Sequence, residues 1–224
     1  MASQRILVWD IPTRVFHWSL AASFAVSYLT SESERLAAIH VASGYTLLGL
    51  IAFRLVWGFV GSRYARFAEF VRGPAAVIDY AKSLLAGRPQ HFVGHNPAGA
   101  VAIVLLLGLG LAAGISGWAM YNDIGGEWLE EVHEFCANTM LAVVVIHVLG
   151  VIASSLLHKE NLVRAMVTGR KQGAPEQGIE RGHGFFALLL AAAVAALGWS
   201  TLQDAVTSAP TKKAGHEKKH DHDD

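Results

Sequence analysis

The run VHEFCANTMLAVVVIHVLGVIASSLL, residues 132–157, constrains this chain more than any other stretch. It is almost wholly apolar and carries two histidines, His133 and His147, 14 positions apart. About 20 such residues suffice for a helix to cross the roughly 30 Å hydrocarbon core of a bilayer. On an α-helix 14 residues is close to four turns, so both imidazoles project from nearly one face, roughly 20 Å apart along the axis. An ionisable side chain at such depth is costly without a partner and marks function by default.

Four more apolar runs are visible: Val15 to Thr30, Leu36 to Val60, Ala98 to Tyr121 and Gly184 to Leu202. Only 16% of the 224 residues are charged, against 53% hydrophobic. A soluble domain carries about a quarter charged residues, so the deficit argues for an integral membrane protein. No run shows the alternation of a membrane β-strand, which leaves helices. The formal net charge of zero gives no reason to expect nucleic acid. The N-terminal stretch MASQRILVWDIPTRVFHW has Trp9, Asp10 and Pro12 where a signal peptide needs its apolar centre, so it is expected to be retained.

Most basic residues fall in three regions: Arg5 and Arg14; Arg63, Arg66, Arg72, Lys82 and Arg88; and Lys159, Arg164, Arg170, Lys171 and Arg181; the tail adds Lys212, Lys213, Lys218 and Lys219, offset by nearby acids. Five spans place all three on one side, cytoplasmic by the positive-inside rule. The opposite connections, SESER and NDIGGEWLEEVHE, are acidic. The N-terminus is then cytoplasmic and the C-terminus periplasmic. Residues 63–88 mix apolar and basic side chains and predict an amphipathic helix on the cytoplasmic surface. The tail from 204 to 224 is polar and histidine-rich and is expected to be disordered.

Of 11 histidines, four lie inside spans. Depth pairs them: His40 with His133 near the periplasm, His17 with His147 toward the cytoplasm. Two bis-imidazole sites at two depths suit two haems, six-coordinate and built for electron transfer. No CxxCH site exists, and the one cysteine is Cys136, so the haem is b-type. No carboxylate or thiolate cluster favours zinc. His158, 11 residues past His147, is the rival ligand for the lower site, though Lys159 and Glu160 beside it suggest a boundary residue.

Arg54 follows His40 by 14 residues and falls level with the lower haem, where a guanidinium would pair with a propionate. Gly44, one turn from His40, would let a flat macrocycle approach the backbone. In HFVGHNPAGA, Asn96 and Pro97 mark a helix start. His95 sits at the interface beside the lower haem, with Asn96 next to it, where propionate or quinone could be bound.

The segments VWDIPTRVFHW, IHVASGYTLLGLIAFRLVWGFVGSRYARF and GHNPAGA, with the His133–His147 pair, resemble the bacterial di-haem cytochrome b561 and NiFe-hydrogenase cytochrome b subunit family. The likeness covers roughly Leu7 to Arg170. It implies a four-helix haem core with His17, His40, His133 and His147 as axial ligands. It also implies electron exchange between quinone and a periplasmic partner. The short connection from Thr30 to Leu36 departs from the hydrogenase subunits.

The expected architecture is therefore all-α and integral to the bacterial inner membrane: a four-transmembrane-helix haem-binding bundle within 1–170, and a linker with a fifth C-terminal transmembrane helix over 171–203. The expected partners are membrane lipid, quinone or quinol, and a periplasmic c-type cytochrome or hydrogenase, with a homodimer left open. Two other functions compete: an autonomous superoxide:quinone oxidoreductase, and a helical metal or haem transporter using the histidine-rich tail.

Overall fold

A computed structural model describes residues 4–204 in full and the backbone of the last helix to residue 220; the side chains of the histidine-rich tail lie outside the described residues. The elements are β1 (Gln4–Leu7), α1 (Ile11–Thr30), α2 (Ala37–Val60), α3 (Phe67–Phe70), α4 (Pro74–Leu85), α5 (Pro97–Tyr121), α6 (Trp128–Leu157), α7 (Leu162–Thr168), β2 (Arg170–Gly173) and α8 (Gly184–His220).

Local chemistry sets the boundaries. Asp10 caps α1 by accepting from the Thr13 backbone N–H at 2.8 Å, and Asn96 caps α5 by accepting from Gly99 at 2.7 Å. A proline follows each cap within two residues, where its missing N–H costs nothing. Gly169 ends α7 in the left-handed region at φ 78°, a conformation glycine adopts without strain. Glu130 and Glu131 in the first turn of α6 complement the positive end of the helix dipole.

Among the described residues, four helices are long and apolar enough to cross a membrane: Glu34–Val60, Pro97–Tyr121, Trp128–Leu157 and Gly184–Asp204. The 20-residue α1 is not among them, because Thr13, Arg14, His17 and the spaced Ser19, Ser23 and Ser27 dilute its apolar content. Along the 30 residues of α6 only Cys136 and Met140 are buried, while Phe135, Ile146, Leu149, Ile152 and Leu156 stay exposed. An apolar surface this continuous is not tolerated in water, and lipid is its natural solvent.

The helices pair as α1 on α2 and α5 on α6, joined through α2 on α5, with α8 against α1 and α2. No comparable backbone packing joins α6 to α1 or α2. The shared core is Phe16, Leu47, Leu50, Ile51, Leu107, Met140 and Leu190. Leu197 of α8 reaches the backbone of α2 at Gly49, where a Cβ would stand 2.8 Å from its Cδ2.

At one end, β1 and β2 form an antiparallel ribbon with Gln4 opposite Gly173 and Leu7 opposite Arg170. This ribbon departs from a purely helical expectation. It ties the segment before α1 to the segment after α7, so all three basic regions gather at one end of the bundle. A second core, Ile6, Val8, Trp9, Tyr64 and Ala165, lies beneath it. The expected surface helix over 63–88 resolves into a 3₁₀ turn at 63–65, α3 and α4.

Candidate functional site

At the acidic end, His40 of α2 and His133 of α6 face each other with ring centroids 6.1 Å apart and planes at 71°. His40 Nδ1 lies 2.9 Å from the Ser27 carbonyl oxygen, and His133 Nδ1 lies 2.9 Å from that of Ala113. A carbonyl only accepts, so in both rings Nδ1 carries the proton and donates. That leaves each Nε2 lone pair free and fixes the ring's orientation, as metal-binding imidazoles require.

Glycines shape the surroundings. A Cβ on Gly117 would stand 3.0 Å from His133 Cε1 and 3.1 Å from its Nδ1, so only glycine leaves the ring its place. On Gly44 a Cβ would meet only Ser27 Oγ, at 4.0 Å, so open space borders α2 one turn from His40.

At the basic end a second group gathers. His17 and His147 are electrostatic neighbours, and both act on His95 together with Arg54. His17 Nδ1 is enclosed and has no hydrogen-bond partner. Arg54 is 3% exposed, with its guanidinium carbon 4.8 Å from the Phe67 ring centre, 5.7 Å from Phe70 and 6.0 Å from Phe16. Phe67 reaches it because Gly58 has no side chain: a Cβ there would run into the ring. Asp10 is the nearby opposite charge, yet among the described residues no carboxylate pairs with Arg54 and its Nη1 is unsatisfied. A buried cation in this state calls for an anion from outside the chain.

The Trp9–Asp10 pair organises this end. Asp10 is fully buried, and its second oxygen accepts from the Trp57 indole N–H at 3.0 Å. The His95 ring packs tilted against Trp9 at 4.5 Å between centroids and against Phe70 at 4.7 Å. His95 Nδ1 is enclosed and unpartnered. Burial, reinforced by the charge of Arg54, pushes the His95 pKa down to about 3, so its ring is neutral at physiological pH. Asn96 spends its side-chain oxygen on the α5 cap, leaving only its N–H groups to offer a ligand. His158 sits at the C-terminal cap of α6 with its ring 5.6 Å from that of His91.

Three features were missed by sequence reasoning. Met140, seven residues from each of His133 and His147, lies on their shared face and is 3% exposed; the spacing was there to be read. Gly117 and His183 gave no signal. His183 adopts φ 54°, packs edge-on to Trp57 at 5.6 Å, and encloses an unpartnered Nδ1.

The profile of the family described as prokaryotic cytochrome b561 matches residues 8–169, which spans α1 to α7 and every histidine described above except His183. The chain belongs to that family. This cytochrome is also similar to proteins named probable Ni/Fe-hydrogenase B-type cytochrome subunit. The one from Rhizobium leguminosarum bv. viciae is 23% identical over 215 residues, covering 75% of this chain and 89% of the relative. That from Bradyrhizobium diazoefficiens is 23% identical over 214 residues, covering 75% and 86%. An Escherichia coli relative of the same type is 25% identical over 143 residues, covering 52% and 60%. No solved structure matches the chain.

A b-type cytochrome binds haem b, and the residues fit it. A metal held by two imidazoles at about 2 Å, with each ring centre roughly 1 Å behind its nitrogen, sets the centroids about 6 Å apart. The upper pair stands at 6.1 Å. Open space at Gly44 borders it, and the orphaned Arg54 suits a carboxylate at the lower group.

Proposed function

We propose that this cytochrome carries electrons across the bacterial inner membrane through two haem b groups, between the quinone pool and a periplasmic redox partner. The single observation that supports this most is the upper imidazole pair, with both Nδ1 atoms committed to carbonyls and both Nε2 atoms free. In this reading His40 and His133 hold the upper haem, and His17 and His147 hold the lower. Haem b held by those imidazoles would supply one-electron exchange.

The chain's own residues then divide the work. The Ser27 and Ala113 carbonyls orient the upper imidazoles and raise their basicity. Arg54 neutralises a propionate of the lower group. His95, neutral and packed against Trp9 and Phe70, offers a hydrogen bond to a propionate or to a quinone carbonyl, with an Asn96 N–H as the second donor. Met140 and its core neighbours keep water out of the space between the two levels.

The basic end, with both the N-terminus and the ribbon, faces the cytoplasm by the positive-inside rule. Helix α1 completes the span count to five, its polar face turned to the bundle. The acidic end then faces the periplasm, where Asp123, Glu127, Glu130 and Glu131 meet the partner. A hydrogenase is the favoured partner, since the relatives carry hydrogenase-subunit names.

The test is stopped-flow reduction of the purified cytochrome in liposomes by a quinol, followed by oxidation from the acidic side by a hydrogenase or a c-type cytochrome. Quinol should reduce both haems, and His40→Ala should stop transfer to the partner while leaving one haem reducible. A quinol that reduces neither haem, or a His40→Ala protein that serves the partner normally, would refute the scheme.

A further inference from the structure

At the basic end a cleft of about 260 Å³ opens between α3, the segment 91–95 and the 3₁₀ turn at 175–177. Its walls include Arg63, Tyr64, Arg72, His91 and Phe92, and His95 is part of its lining. The charges do not cancel. Arg63 is paired with Glu69 at 3.2 Å, and Lys171 with Glu160 at 3.1 Å. Arg72 lies over the Phe92 ring at 5.1 Å and has no carboxylate partner among the described residues. His95 encloses an unpartnered Nδ1, and the nearby Arg54 an unsatisfied Nη1. Two guanidiniums and one carboxylate, Glu69, line the cleft, which leaves the Arg72 charge uncompensated and suited to an oxyanion.

The neighbouring surface points to the source of that anion. Val71 and Ile78 are about half exposed, and Leu85 at the end of α4 is 89% exposed. Val71 and Arg72 follow α3, and α4 presents Ile78 and Leu85 beside its one basic residue, Lys82; an apolar face edged by cations suits a membrane surface. The cleft therefore opens at the level of lipid headgroups, where the abundant oxyanion is phosphate and acidic lipids gather beside arginines.

We propose that this cleft is a phosphate-binding site that holds the headgroup of an acidic phospholipid, with Arg72 as its principal contact and Arg63 assisting. The site depends on the membrane placement of the chain and not on how many haems it carries.

Native mass spectrometry of the haem-loaded protein tests it, with phosphatidylglycerol and phosphatidylcholine offered at equal concentration. The intact protein should retain one phosphatidylglycerol with about tenfold preference, equivalent to about 1.4 kcal/mol. Arg72→Gln should abolish that preference with haem content unchanged, and Arg72→Lys should keep most of it. Lys82→Gln, on α4 away from the cleft, should have no effect. Displacement of the lipid by millimolar inorganic phosphate would support the site; phosphate retention without lipid preference would support it with a soluble anion as the occupant. An unaltered preference in Arg72→Gln overturns the proposal, as does an equal loss in Lys82→Gln. Loss of haem in Arg72→Gln also overturns it, because the anion in the cleft would then belong to the haem.

Discussion

Gly117→Ala is the sharpest single change. Its new Cβ would stand 3.0 Å from His133 Cε1 and 3.1 Å from Nδ1, whereas carbon contacts settle at about 3.5–4.0 Å. The imidazole must therefore retreat from α5 by about half an ångström. Ala113, whose carbonyl the ring bonds at 2.9 Å, sits on the same helix, so the retreat lengthens that bond toward the weak limit. Metal–imidazole distances tolerate only about 0.2 Å, and disturbing such a supporting bond lowers metal affinity about 10–100-fold. The loss is about 1.4–2.7 kcal/mol at the upper site. Alanine for glycine inside a helix favours the helix by about 1 kcal/mol, so the haem-free protein should not melt earlier. The two effects have opposite signs, which separates a site defect from a folding defect. Haem dissociation from the purified variant should quicken at least tenfold for one of its haems, with the melting temperature of the haem-free chain unchanged or raised. Full haem retention with normal dissociation would show that His133 does not hold a metal in this pose.

Three further changes probe the frame. Met140→Ala should cost about 2–3 kcal/mol by leaving a cavity in the shared core, read as a lower melting temperature with haem content retained; loss of haem would place Met140 in a site instead. Lys171→Met removes the closest cation from Glu160, which keeps only His91 at 4.0 Å and the Gln172 N–H, and should cost about 3 kcal/mol, largely recovered in the Lys171→Met/Glu160→Leu double variant; a double variant no better than the single would exclude a pairing effect. His95 has a folded pKa of about 3 against the ordinary 6.5, so the unfolded chain binds the proton first. Stability should therefore fall as pH drops from 6.5 toward 3, by up to about 1.4 kcal/mol per pH unit, and show no contribution from His95 above that window. Melting curves at pH 5, 6 and 7 should show a shallower slope in His95→Gln than in the parent protein; equal slopes in both proteins would refute it.

Much of this was legible in the chain because membrane helices write long, periodic signals. Fourteen residues between His133 and His147, and between His40 and Arg54, return to the same helix face, and the basic connections sort to one end. Asn96 and Pro97 announced α5, and Asn96 indeed makes the cap. The ribbon was not legible, since two strands of four residues each, separated by more than 160 positions, leave no pattern. The contact of Asp10 with Trp57 spans 47 residues and joins two motifs that looked independent. Gly117 could not be found from sequence, because its meaning is the ring of His133 on another helix. Helix α1 shows the converse difficulty: the polar residues that fit it to the bundle lower its apolar signal.

The most direct test of the central claim is the haem-to-protein ratio of the purified chain, read with reduced-minus-oxidised spectra. Two haem b per chain are expected, with one lost in His40→Ala or His133→Ala and the other in His17→Ala or His147→Ala. One haem per chain, or none, would contradict it, and so would a His147→Ala protein that keeps both.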